Sequence, residues 1–105
     1  MANKPLVKKP IPGYRIFQAR VAIGLSQEKL GVLIGLDEGT ASTRISRYEN
    51  GIHEPPISTA KNIAKALKVP LNYLYSDQDE IAELILHISK LSKNEIIEIT
   101  QRLIQ

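Results

Sequence analysis

Short polar side chains and one arginine recur within residues 42–50 at the spacing of a single helix face. They follow one another at offsets of one, four, five and eight residues: Ser42, Thr43, Ser46, Arg47 and Asn50. Such offsets form one stripe on an α-helix. Arginine can donate two hydrogen bonds to O6 and N7 of guanine, and serine and threonine can reach several base edges. The stripe therefore suits contact with base edges in double-stranded DNA, with an ordinary solvated helix face as the alternative. The predicted base contacts are Ser42, Thr43, Ser46 and Arg47.

A second group of residues is predicted to contact phosphates. Gln27 follows Ser26, a good helix N-cap, so its amide and the free backbone N–H groups there can hold a phosphate. Two lysines lie between prolines near the start of the chain, where they either follow the DNA backbone or belong to a solvated tail. The phosphate candidates are Gln27, Arg44, Asn50, Lys8 and Lys9.

Helices must position these side chains, and apolar residues recur with helical period from residue 14 onward. The first helix carries one apolar stripe: Tyr14, Phe17 and Val21. Gly24 ends this helix, and a second helix follows Ser26. The third helix turns Ile45 and Tyr48 inward, opposite the polar stripe, and stops at the dipeptide NG.

The second half of the chain continues the helical pattern. Ser58 is predicted to cap a fourth helix with one apolar face: Ile63, Ala64 and Leu67. A short fifth helix enters through Pro70. Residues 79–91 then form an apolar helix, and SKNE, Ser92 to Glu95, is a capping box that opens the last one. No segment shows convincing strand alternation, so the predicted fold is all-α, with five helices followed by a two-helix extension. The predicted division is a basic arm at 1–13, a DNA-binding domain at 14–76 and an extension at 77–105.

Composition excludes several classes of protein. The chain has 105 residues, no cysteine and a formal net charge of +3, so neither a disulfide framework nor a thiolate metal site is expected. The first twenty residues carry no acid, which suggests that an anion binds near this end. No glycine-rich phosphate loop, paired histidine or metal-ligand spacing is present, so we expect no enzyme, cofactor or metal. No membrane span or secretory signal is visible, and a cytoplasmic location is expected.

Five pieces of the chain, taken in order, resemble one known family. They are Arg20, GLSQEKL (24–30), ISRYENG (45–51), EP (54–55) and IAKALKVPLNYL (63–74). Together they make residues 15–75 similar to the lambda-repressor/Cro-type (XRE-like) helix-turn-helix domain of bacterial and phage regulators. The resemblance implies a transcriptional regulator, expected to be a repressor, that reads the major groove with the helix around residues 40–50. It also implies a phosphate contact at Gln27 and a structural ion pair between Arg20 and Glu49.

The chain departs from the resembled pattern before the third helix. Nine residues separate Gly35 from Ile45, four more than the pattern has. The second helix can run one turn longer and end at Gly39, or the third can start earlier with Asp37 as its N-cap. The third placement is a longer turn, LDEG, with Thr40 as the N-cap. We favour this longer turn, because Gly39 would supply any positive φ that it needs.

Asp37 and Glu38 lie near the start of the third helix in every placement. The helix dipole favours negative charge there, so local stabilisation is the favoured account. The alternative is specificity, since a carboxylate can accept a hydrogen bond from the N4 amino group of cytosine.

The C-terminal extension offers more apolar helical surface than a small domain needs to cover itself. We expect it to form a homodimer, because two copies on a two-fold site read more bases; folding back over the fourth and fifth helices is the alternative. The other function considered is an antitoxin-like or adaptor module on the same fold, which would bind a protein partner through this extension.

Overall fold

The computed structural model describes residues 9–105, and within this range the chain forms helices and no strand. The seven helices are α1 (Gly13–Ala22), α2 (Gln27–Leu33), α3 (Glu38–Glu49), α4 (Ile57–Leu67), α5 (Leu71–Leu74), α6 (Asp79–Ile88) and α7 (Lys93–Leu103). The predicted all-α fold of five helices and a two-helix extension is confirmed. Lys8 lies outside the described residues.

Local sequence signals set several of the helix ends. The Ser26 hydroxyl accepts from the backbone N–H of Lys29 at 3.0 Å, and Ser92 and Glu95 form the predicted capping box. The predicted start of α4 is wrong, since the helix begins at Ile57 with Pro56 at the N-cap. The Pro56 carbonyl already accepts from Ala60 at 2.9 Å, and proline at a helix start loses no N–H bond.

The core lies between α1, α2, α3, α4 and α5. Its buried side chains include Ile16, Leu30, Ile45, Ile63, Leu67 and Leu74. The predicted apolar stripe of α1 is only partly correct, since Phe17 and Val21 are exposed while Ile16 and Ala19 are buried. Helix α1 presents two apolar stripes, and close packing decides which one turns inward. At Gly13 a Cβ atom would collide with main-chain carbonyls of α3, so α1 meets α3 along the Gly13–Ile16 side.

The four extra residues lengthen α3 at its start. Asp37 is extended and stands at the N-cap, and its carbonyl accepts from the backbone of Thr40 at 3.0 Å and of Ala41 at 2.9 Å. The favoured placement, a longer turn capped by Thr40, is therefore wrong, and the earlier start is right. The reason is packing: Ala41 is fully buried and lies against Gly31 of α2. This contact offsets a Gly39 cost of up to about 1 kcal/mol in the first turn.

The Gly31–Ala41 contact gives a prediction with a matched control. Gly31→Ala should lower the free energy of unfolding by about 1–3 kcal/mol, because the new methyl would collide with Ala41. Gly39→Ala should raise it by about 0.5–1 kcal/mol, because Gly39 has open space around it. Urea unfolding of both variants measures the two changes. Equal effects of the two substitutions would contradict the close α2–α3 packing.

The extension projects its apolar side chains into solvent. Helix α6 is anchored by Ala82, which is 2% exposed, with Ile85 and Leu86 packed against the core. Helix α7 has no buried residue. The large exposed aliphatic side chains of this part are Ile81, Leu84, Ile96, Ile97, Ile99, Leu103 and Ile104. None of the described helices is both long enough and apolar enough to cross a membrane.

Candidate nucleic-acid interface

The outer face of α3 carries the predicted base-reading residues. Ala41, Ile45 and Tyr48 bury the inner face of the helix against α1 and α2. The opposite face presents Ser42, Thr43, Ser46 and Arg47, of which Ser46 is half-buried and the others are exposed. Arg44 is also exposed and flanks this row. The four residues Ser42, Thr43, Ser46 and Arg47 form the reading row. The structure brings them together on one face that can enter a groove.

Arg20 and Glu49 join α1 to the end of α3. The Arg20 Nη2 atom lies 3.0 Å from Glu49 Oε1, and Arg20 Nε donates to the other carboxylate oxygen. Arg20 Nη1 donates to the Leu25 carbonyl at 2.8 Å. Glu49 is 7% exposed. Its negative charge is thus paired with Arg20 inside the protein.

Gln27 connects this ion pair to the reading row. Its amide Nε2 donates to Glu49 Oε1 at 3.0 Å, and its Oε1 accepts from the Ser42 hydroxyl at 3.3 Å. The sequence predicted Gln27 only as a phosphate ligand, and this bridging position was missed. Because one planar amide group makes both contacts, Gln27 orients Ser42, the first residue of the reading row, relative to the core.

The remaining phosphate candidates have different surroundings. Asn50 is the C-cap of α3, and its side-chain amide donates to the Ser46 carbonyl at 2.8 Å. The Lys9 ammonium lies 4.4 Å from the centroid of the Tyr14 ring, a distance at which the cation and the ring attract each other. Lys9 and Arg44 are exposed. Asn50 therefore has a structural partner in the protein, whereas Arg44 extends from α3 beside the reading row.

Asp37 and Glu38 stand at the N-terminal end of α3, and both are exposed. The Asp37 side chain makes no capping hydrogen bond, whereas Glu38 belongs to the first turn, where the helix dipole favours negative charge. The two carboxylates thus add negative charge at one end of the helix that carries the reading row.

Removing these two charges tests whether they choose bases. The variant Asp37→Asn with Glu38→Gln should bind every DNA sequence more tightly by roughly two- to tenfold, because repulsion of phosphates disappears. Fluorescence anisotropy on a panel of single-base operator changes measures this. A loss of discrimination at one base pair would instead assign that base to a carboxylate.

A further buried charge, Arg15 of α1, was missed as a functional candidate. Its Nε atom donates to the main-chain carbonyl of Ser76 at 2.8 Å. A main-chain acceptor has no residue type of its own, so no sequence pattern indicates this contact.

The chain is similar in sequence to known proteins over most of its length. The helix-turn-helix family matches residues 16–74. An "Uncharacterized HTH-type transcriptional regulator" of Sinorhizobium medicae (strain WSM419) is 36% identical over 75 residues, which cover 67% of this chain and 51% of that protein. An "Uncharacterized transcriptional regulator in ATPase CF(0) region" of Rhodospirillum rubrum is 40% identical over 65 residues, covering 62% of this chain and 56% of that protein. The chain thus spans about half the length of the curated relatives it matches.

A solved structure extends the similarity beyond the matched domain. The crystal structure of transcriptional regulator BswR is 43% identical to this chain and superposes with a TM-score of 0.80. The match covers 87% of this chain and 90% of that chain. The chain belongs to the XRE/Cro-C1-type helix-turn-helix family of DNA-binding transcriptional regulators.

Proposed function

We propose that this protein is a sequence-specific repressor that binds double-stranded DNA as a homodimer. In this proposal residues 14–76 bind DNA and residues 77–105 join the two copies. The observation that carries the proposal is the reading row on α3, an exposed polar face with one arginine directly opposite a fully buried apolar face. The major groove, roughly 12 Å wide, admits one α-helix.

Contacts to phosphates position α3 in the groove. Arg44 flanks the reading row, and Gln27 and Asn50 lie near its two ends. The Asn50 amide donates to neutral oxygens of Ser46, and a phosphate oxygen can replace them because a charge-assisted hydrogen bond is stronger than a neutral one. The Gln27 amide nitrogen donates one N–H to the Glu49 carboxylate and has a second N–H that can donate to a phosphate. Lys9, and Lys8 beyond the described residues, would add sequence-independent attraction to the DNA backbone.

A second copy of the chain is the proposed occupant of the apolar face on α6 and α7. Six large exposed aliphatic side chains on α6 and α7, with Ile104 at the C-cap of α7, are more than a lone monomer usually leaves in water. Helix α7 also carries Glu95 near its start and Arg102 near its end. An antiparallel copy of α7 would bring these opposite charges together at both ends, so the surface is complementary to itself.

Occupancy of the promoter is sufficient for repression, because a dimer on its operator excludes other proteins from the same DNA. A reporter gene behind the operator should lose expression when the protein is present. A rise in expression would make the protein an activator and overturn this part of the proposal.

Selection of bound sequences from random DNA tests the function directly. The expected result is a motif with two-fold symmetry whose half-sites lie about 10–10.5 base pairs apart or a multiple of this spacing. Failure to enrich any motif would overturn sequence-specific binding, and a motif without symmetry would overturn binding as a dimer.

Two exposed arginines of α3 should respond differently to substitution. Arg47→Ala should weaken binding at each half-site by about 1–3 kcal/mol and relax the preference at one base pair, because a bidentate contact to guanine is lost. Arg44→Ala should weaken binding to all sequences alike and lower the salt dependence by about one unit per lost phosphate contact. Anisotropy titrations at several salt concentrations separate the two outcomes. A uniform loss with Arg47→Ala would remove it from the reading row.

The exposed face of α7 also favours a second candidate function, an adaptor or antitoxin-like module that binds a different protein. The oligomeric state in solution distinguishes the two, since an adaptor of this kind stays monomeric when its partner is absent.

A further inference from the structure

Arg15 is one of two buried charged residues in the described range, and DNA reading does not use it. It is 2% exposed. Its Nε atom donates to the Ser76 carbonyl at 2.8 Å, and its Nη1 atom donates to Gln18 Oε1 at 2.7 Å. The same Nη1 atom lies 3.0 Å from Asp79 Oδ1.

The three partners of Arg15 contribute unequally to holding its guanidinium in place. The Asp79 side chain is 70% exposed, and an ion pair with so exposed a partner contributes little. The Ser76 carbonyl and the Gln18 amide are therefore the contacts that hold the guanidinium. The buried hydroxyl of Tyr73 also donates to Gln18, at 3.4 Å, and burial raises the pKa of Tyr73, so that this donor keeps its proton.

The hydrogen bond from Arg15 to Ser76 holds the chain at the point where it passes from α5 to α6. Ser76 lies in the connection between α5 and α6, three residues before Asp79 begins α6. Ala82 is the next buried point along the chain. The first anchor of the extension after α5 is thus a main-chain atom, held from α1 by a rigid guanidinium that donates in a fixed plane.

We propose that Arg15 is a positioning residue that sets the spacing of operator half-sites. It does so by fixing the direction in which α6 leaves the DNA-binding domain. The inference rests on the proposed homodimer through α6 and α7. In such a dimer the distance between the two copies of α3 follows from the angle between the domain and the extension. Because each α3 must reach its own half-site on one face of the DNA, this angle selects the spacer length.

Loss of Arg15 would loosen this angle without removing the other elements. Ala82 and Leu86 would still hold α6 on the core, and the reading row lies on another helix. Because these apolar contacts are not directional, α6 could pivot about them once the hydrogen bond to Ser76 is lost, and its direction would vary. The two copies of α3 would reach half-sites at several spacings, and the preference for one spacer would weaken.

The experiment compares spacers on the full chain with Arg15→Met, Arg15→Lys and the control Asp79→Asn. Each protein is titrated on DNA duplexes that carry two half-sites of the selected motif, separated by spacers that differ in steps of one base pair. The wild-type protein and Asp79→Asn should prefer the best spacer by about tenfold or more over a spacer two base pairs longer, because linked binding requires matched geometry. The preference should fall below about threefold in Arg15→Met, with unchanged affinity for a single half-site and an unchanged dimerisation constant.

Arg15→Lys keeps the charge and lacks the planar fork, so it should show the same loss of spacer preference. It decides the question if Arg15→Met fails to fold. A spacer preference equal to that of the wild-type protein in the folded variant would overturn the inference, and so would a wild-type protein indifferent to spacing. Failure of the proposed function is a separate observation, because it would appear as no enriched motif for the wild-type protein.

Discussion

Glu49→Met should lower the free energy of unfolding by about 3–5 kcal/mol, the cost of leaving one member of a buried ion pair unpaired. The Arg20 side chain is only 12% exposed, so water can replace little of what the carboxylate provides. Gln27 would lose its Glu49 acceptor as well. For a small domain whose total stability is about 5–15 kcal/mol, this loss should unfold a large part of the protein on mild heating.

Substitution of Arg20 as well as Glu49 distinguishes the cost of an unpaired charge from the cost of lost packing. Arg20→Met alone should cost a similar amount, whereas the double variant Arg20→Met with Glu49→Met should recover most of the loss, because both charges are gone. Glu28→Gln is the control, since Glu28 is exposed on α2 and should change stability by less than about 1 kcal/mol. Urea unfolding of the wild-type protein, the two single variants and the double variant gives the double-mutant cycle. Additive losses would show that the two side chains act independently.

Local signals in the sequence predicted the parts of the fold that depend on neighbours along the chain. Ser26 caps α2, and Ser92 with Glu95 forms the capping box of α7. In each case donor and acceptor lie within three residues, so residue type and spacing determine the contact. The reading row is equally local, because one helix carries all its members.

Contacts between distant segments escaped prediction for a physical reason. The start of α3 depends on Ala41 meeting Gly31 of α2, and helix propensity alone disfavours Gly39 in a first turn. The buried face of α1 depends on close approach at Gly13. The Arg15 contact ends on a main-chain carbonyl, which any residue supplies. Such contacts require the fold before they can be recognised.

Ile96→Glu combined with Ile99→Glu should convert the proposed homodimer to a monomer in solution. Both side chains are about two-fifths exposed in the single chain, and no residue of α7 is fully buried. The two new charges should therefore leave the monomer folded, while a dimer interface would have to bury them unpaired. Sedimentation velocity measures the change in mass, and thermal unfolding checks that the fold persists.

Loss of the dimer should also weaken operator binding by about 10²–10⁴-fold, because linkage of two half-sites supplies a high effective concentration for the second. Affinity for a single half-site should stay unchanged, since the reading row lies on α3 and not on α7. Asn94→Glu with Gln101→Glu is the matched control. It adds the same charge to the polar side of α7, where both residues are exposed, and should leave the dimer intact.

The comparison of the two double-glutamate variants also tests the adaptor alternative. A control that dissociates as fully as the Ile96 and Ile99 variant would show that net charge, and not the apolar face, governs association. If the wild-type protein is itself monomeric and binds one half-site, the proposed homodimer is wrong. The apolar face of α7 would then be the binding surface for a different protein, because removing these aliphatic side chains from water is favourable.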